Sequence, residues 1–289
     1  MVLYNPKDWI KLIFQFGKGD TIRQLWPALI GMGIYTGLLA WVEIEFIDSK
    51  IQDPTKVHSL IGFVLSMLLV FRINSAYDRW YEGRKLWGNF VNNSRNLALQ
   101  LNALIPAENS ELKNKMRILI GNYMIATKQH LRGYFNADEL EPCENFDTEK
   151  LAQATHKPNY IAAVLYKEII ELERKKTIDS NLFLMLNEEV KSFTETTGSC
   201  ERIKNTPIPY SYSLFLKKII FLFVFTLPIG YVITFNYWAI PISILIFYVF
   251  ASIELISEEI EDPFGTDTND LPLEEICQTI KTNLKSILA

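Results

Sequence analysis

Cysteine, histidine and surplus positive charge are all scarce in this chain, and each scarcity removes a class of protein. The 289 residues contain three cysteines, Cys143, Cys200 and Cys277, an odd number, far apart and without a CxxC pair. Such a pattern builds neither a disulfide framework nor a structural zinc site. The three histidines, His58, His130 and His156, are equally scattered, with no HExxH and no carboxylate at ligand spacing along the sequence, so a metallohydrolase is not expected. Lys and Arg total 29 against 33 Asp and Glu, a net charge of −4, which leaves no basic surface to neutralise a nucleic-acid backbone. No catalytic constellation stands out, so the chain is not read as an enzyme.

The chain does contain long apolar runs. Overall 49% of residues are hydrophobic and 21% charged, but the apolar ones gather in two pairs of blocks, near 25–71 and near 214–253, on either side of a charged, helical middle. The first block, Leu25 to Ile47, carries no charge over its first 18 residues and is long enough for a hydrocarbon core of ~30 Å. Gly31, Gly33 and Gly37 permit a neighbouring helix to come close. The second block, Val57 to Phe71, has 15 residues and is short for a lipid-facing span. It needs either continuation as helix beyond the bilayer, with Arg72 and Arg79 on the water side, or cover from other helices in an oligomer. The third and fourth blocks, Ile219–Phe235 and Trp238–Ile253, are separated only by Asn236 and Tyr237 and form a tight helical hairpin. Pro228, Gly230 and Pro241 within them are tolerated in membrane helices whose neighbours satisfy the freed backbone groups.

Basic residues near the span ends set the orientation. Arg23, Arg72, Arg79, Lys217 and Lys218 all fall on one side, whereas the other side holds only Asp48–Lys56, with Lys50 and Lys56, and the two-residue turn. Both termini and the middle are therefore expected in the cytoplasm of a cell with an inner membrane. The first twenty residues are not a secretory signal, since charges interrupt their apolar run and no small-residue cleavage site follows. Tyr4, Trp9, Ile10, Leu12, Ile13 and Phe14 beside lysines suit an amphipathic segment on a membrane surface or an ordinary packed helix.

The expected organisation is all-α: an N-terminal segment (1–24), two transmembrane helices (25–71), a helical cytosolic domain (72–211), two further transmembrane helices (212–256), and an acidic turn with a C-terminal helix (257–289). Leu86, Phe90, Leu97 and Leu101 mark one face of a helix prolonging the second span, and Leu165, Ile169 and Leu172 mark another amphipathic helix.

Two stretches carry most information. Phe71 to Gly88, FRINSAYDRWYEGRKLWG, places aromatic, amide and charged side chains at helical spacing directly after an apolar span. Arg72, Asn74, Tyr77, Asp78 and Arg79 are suited to a polar network between helices or to contact with a permeating ion, and the sequence leaves both open. The second stretch, the acidic turn from Glu258 to Leu273, is rich in oxygen ligands for a hard cation but lacks EF-hand spacing, and Asp262 and Asp270 also suit helix caps.

FRINSAYDRWYEGRKLWG and IEDPFGTDTNDLPL resemble the most recognisable stretches of the bacterial bestrophin-like proteins, and the order of four spans around a helical middle is similar. The resemblance implies a homopentameric channel for monovalent ions, with a narrow apolar neck on the second membrane helix and a second constriction in the cytosol. It places the neck at Leu60 and Val64, with Phe63 and Ile61 as register alternatives, and the cytosolic constriction in the helix containing Ile178 to Leu186. Chloride is the family's ion by analogy, with cation selectivity open. No cofactor is implied; a calcium clasp would fall on Asp267 and Asp270, although Thr268 and Asn269 stand where consecutive aspartates would be. The alternative is a membrane-anchored helical scaffold that binds a cytosolic partner.

Overall fold

A computed structural model describes residues 21–47, 55–143 and 147–288. Most of the N-terminal segment and of the loop between the first two spans lie outside them. Among the described residues every regular element is helical: α1 (Thr21–Val42, running into a π turn at Glu43–Ile47), α2 (Thr55–Leu104), α3 (Ser110–Arg132), α4 (Thr148–Gln153), α5 (Lys157–Arg174), α6 (Ser180–Asn205), α7 (Tyr210–Phe235), α8 (Ala239–Glu261) and α9 (Leu273–Ile287). Three stretches are long and apolar enough to cross a membrane: Thr21–Ile47, Thr55–Leu104 and Tyr210–Glu261. The last contains two helices, α7 and α8, joined by a single 3-10 turn at Asn236–Trp238. Asn236 takes a positive φ of 50° there, uncommon outside glycine.

The chain divides into two compact units. The first comprises 21–47, 55–80, 207–262 and 267–269, and in it α1, the start of α2, α7 and α8 pack side by side. Helices α1 and α8 run antiparallel: Thr21 Oγ1 lies 2.8 Å from Ser252 Oγ at one end, and a Cβ at Gly33 would stand 3.1 Å from Ile244 Cδ1 farther along. The close approach explains why glycine occupies that position. Helices α2 and α7 are antiparallel too, since the Tyr212 hydroxyl donates to Leu68 O at 3.1 Å while His58 Nε2 lies 3.1 Å from Thr226 Oγ1. Met32, Leu65, Leu69, Ile220, Phe223, Val224 and Leu227 form the buried core between these helices. Pro228 sits inside α7 without ending it, as the sequence suggests for a helix with close neighbours.

The second unit comprises 81–143, 147–206, 263–266 and 270–288. It packs α5 on α3 and α6, and α9 on α3, with the remainder of α2 meeting α3 and α6 through Phe90. Trp87, Phe90, Tyr123 and Phe193 make an aromatic cluster with ring centroids 5.3 to 6.4 Å apart, and each fully buried ring of this size contributes roughly 1.5–3 kcal/mol. Phe90, Leu97, Leu101, Leu165, Ile169 and Leu172, expected on buried faces, are buried. Helix starts are fixed by side chains that take up free backbone N–H groups: Asp179 accepts from Asn181 and Leu182 at 2.9 Å, and Asn109 caps α3. Gly133, at φ 72°, closes α3 in the left-handed conformation that favours glycine.

Candidate functional site

The face of α2 opposite the core is the most unusual surface of the first unit. With 3.6 residues per turn, Leu60, Val64, Met67, Phe71, Asn74 and Asp78 recur every three or four positions and share one row. All six are exposed. Leu60 is 66% exposed, Phe63 64%, Val64 50% and Ile61 42%. Phe63 flanks the row, while Ile61 lies round the side toward Leu65, Leu69, Arg72 and Ala76, all buried. The apolar row thus passes, one turn at a time, into an amide and then a carboxylate. Met67 and Phe71 were not singled out from the sequence, although their three- and four-residue spacing from Val64 was there to be read.

Arg72 occupies the opposite face. It is 1% exposed, with Nη2 2.7 Å from Glu261 Oε2 and Nε 3.6 Å from Glu254 Oε2. Its charge is thereby balanced by two carboxylates of α8, and Glu261 also accepts the Ile208 N–H through Oε1 at 2.8 Å. Arg79 Nε donates to Glu261 O at 3.0 Å. Tyr77 is exposed and its ring stacks on that of Trp80, with centroids 6.1 Å apart.

The two recognisable stretches meet. Within the first unit the Trp80 indole N–H donates to Asn269 O at 3.0 Å, and Asn269 Nδ2 donates to Glu259 Oε2 at 2.6 Å. Within the second unit Gly83 lies against the acidic turn so tightly that a Cβ there would sit 3.0 Å from Pro263 Cγ and 3.1 Å from Phe264 Cε1. The same turn is tied down by Arg132, whose Nε donates to Phe264 O at 3.1 Å and whose guanidinium grips Glu274. Asp267 is exposed and Asp270 buried. Neither belongs to a cluster of three or more His, Cys, Asp or Glu side chains with converging ligand atoms; among the described residues the cluster of that kind is His130, His156 and Glu201. With Asn269 engaged at both its carbonyl and its amide, the turn fastens α2 to the end of α8.

In the α7–α8 stretch the residues expected beside the membrane pair with one another: Lys217 Nζ lies 3.0 Å from Glu258 Oε1. In the stretch from Ile178 to Leu186, Ile178 and Leu186 are buried, whereas Leu184 and Met185 are exposed.

Apolar helices, a buried charge network and an unpartnered apolar row on α2 define a helical membrane protein. Comparison with known proteins places it further. Residues 1–286 match the family described as "Bacterial/Fungal Bestrophin protein", and the chain belongs to that family. It is 34% identical to a "Voltage-dependent anion channel-forming protein" of Nostoc sp. over 97% of this chain and 92% of that protein. A protein of the same description from Synechocystis sp. is 36% identical, with 98% and 93% covered. The fold matches a crystal structure of a bacterial bestrophin homolog from Klebsiella pneumoniae with a TM-score of 0.82 and 28% identity, covering 93% of this chain and 98% of that one.

Proposed function

We propose that this chain is the subunit of an anion channel, with the exposed row of α2 lining the pore and Leu60, Val64 and Met67, flanked by Phe63, forming an apolar neck. The observation that carries the proposal is the row itself: a helix whose other face is buried presents leucine, valine, methionine and phenylalanine outward, then Asn74 and Asp78 on the same line. Lipid does not call for the amide and the carboxylate, whereas a pore that widens into water does. The reading takes homopentameric assembly from the family resemblance: α2 continues as one helix from Thr55 to Leu104, so its apolar part is not limited to 15 residues, and copies of it gathered round an axis would be covered by other helices. In this arrangement α1, the start of α2, α7 and α8 are four spans of an inner membrane, with both termini and the 81–206 region in the cytoplasm. The cytosolic constriction falls on Leu184 and Met185.

An apolar neck offers a passing ion no ligand, so it gates by diameter and dewetting. Choice of anion therefore rests on groups outside the neck, and Arg72, balanced by Glu254 and Glu261, is not one of them. The acidic turn serves as a fastening, and calcium is not required; equal melting temperatures in Ca²⁺ and in EGTA are the expected result, and a rise with Ca²⁺ would restore the clasp.

The test is the reversal potential of purified protein in planar bilayers under a KCl gradient. A value near the chloride equilibrium potential, with higher conductance in Leu60→Ala and Met67→Ala, supports an anion channel with this neck. A value near the potassium potential would make it a cation channel. Absence of current from well-folded protein would favour the scaffold reading.

A further inference from the structure

The fold brings together three side chains that the sequence holds far apart. His130 lies in the last turn of α3, His156 is the N-cap of α5, and Glu201 is on α6. Both imidazoles point their Nε2 at the same carboxylate oxygen, Glu201 Oε1, each at 2.6 Å. The rings are 4.4 Å apart between centroids, the ligand atoms all lie within 4.8 Å of one another, and each side chain is between a quarter and a third exposed. All three belong to the second unit, remote in sequence from the α2 row and from the acidic turn.

We propose that His130, His156 and Glu201 form a binding site for a transition-metal dication of the Zn²⁺ type. Two imidazole nitrogens and one carboxylate oxygen from three helices are the donor set of an open tetrahedral zinc site, with water as the fourth ligand. The same set is wrong for Ca²⁺, which takes six to eight oxygens. Zinc bonds of ~2.0–2.1 Å put tetrahedral ligands roughly 3.3 Å apart, so Glu201 must draw back by about 0.7 Å from each ring, a small movement for a partly exposed side chain.

Proton positions set the cost of filling the site. His156 Nδ1 accepts the Asn159 N–H at 3.1 Å, so in the metal-free state the ring carries its proton on Nε2 and donates it to Glu201. A metal on Nε2 requires that proton to leave and Nδ1 to take one up, which ends the cap on Asn159. Occupation would then tie the end of α3, the start of α5 and α6 to one ion.

The experiment uses the purified full-length protein in detergent after EDTA treatment and dialysis. Titration with Co²⁺ should produce the visible absorption of a four-coordinate site, one equivalent of Zn²⁺ should abolish it, and Zn²⁺ should raise the melting temperature. Glu201→Gln and His130→Ala should weaken Co²⁺ binding by at least tenfold, the scale on which lesser changes around a metal already act. His156→Asn is the decisive variant, because asparagine is among the best N-cap residues and retains the helix start while removing the ligand. Its metal-free melting temperature should match that of the unaltered protein while its Co²⁺ affinity falls at least tenfold. The proposal is overturned if the unaltered protein gives neither a Co²⁺ spectrum nor a Zn²⁺-dependent melting shift. It is equally overturned if His156→Asn binds Co²⁺ as tightly as the unaltered protein, which would put the ion elsewhere.

Discussion

Replacing Arg72 with methionine separates two roles for an arginine beside an apolar span: a charge at the mouth of a pore, or a buried counter-ion. The structure argues for the second. Arg72 is 1% exposed and stands between Glu254 and Glu261 at 3.6 and 2.7 Å; among the described residues neither Glu254 oxygen has a hydrogen-bond partner. Methionine matches the stem of arginine but leaves two carboxylates buried together without their cation. Removing one partner of a buried ion pair costs about 3–5 kcal/mol, which for a domain-sized protein lowers the melting midpoint by roughly 10 °C. Detergent-solubilised membrane proteins seldom unfold reversibly, so apparent midpoints should be compared at one scan rate. The triple variant Arg72→Met, Glu254→Gln, Glu261→Gln removes all three charges together, and it retains a glutamine oxygen to accept the Ile208 N–H. It should recover more than half of the lost midpoint, because replacing a whole buried charge group costs far less than breaking it. If Arg72→Met instead melts within ~2 °C of the unaltered protein while shifting the reversal potential, the counter-ion argument is refuted and Arg72 is a pore charge.

Further expectations concern the second unit. Cys200 and Cys277 are buried, and burial pushes both thiols up to about 12, whereas Cys143 is half-buried. Because the thiolate is the reactive form, a maleimide at pH 7.5 should label the folded protein at Cys143 alone, and all three cysteines after denaturation; intact-mass spectrometry counts the adducts. Burial raises the Glu139 and Glu141 carboxyls, but hydrogen bonds from Lys128 and Arg117 outweigh it and hold both below the usual 4.5. The Arg132 hydrogen bond does the same for Glu274. Their contribution to stability is present above the unfolded value and lost as pH falls through the lower folded values, so melting temperature should hold steady above about pH 5 and decline below about pH 4.5.

Much of the architecture was legible in the sequence because burial there follows one helix at a time. Leu97, Leu101, Leu165 and Ile169 announce their buried faces by spacing alone, and the apolar blocks announce their helices. Pairings across the fold were not legible. Arg72 reads locally as a water-side residue after a span, and only Glu254 and Glu261, more than 180 positions away, make it a core residue. The histidines read as scattered for the same reason: His130 and His156 are 26 positions apart and Glu201 is 45 beyond the second, distances to which no ligand-spacing pattern applies. On α2 the expectation at Leu60 and Val64 rests on the family resemblance, and its register was counted from Arg72, which the structure puts on the opposite, buried face; Met67 and Phe71 on the same exposed row read in sequence as ordinary members of an apolar run.

The three-residue turn at Asn236–Trp238 governs how the last third of the chain can be made. As α7 leaves the ribosome, Phe223 can already meet Leu65 and Leu69 of α2, and Phe250 of α8 arrives last to pack edge-on against its ring at 5.3 Å. Two apolar helices joined by so short a turn are suited to entering a bilayer together as one hairpin. A chain cut after Phe235 would lose the Phe250 side of that contact, and a lengthened turn would loosen the coupling between the two helices.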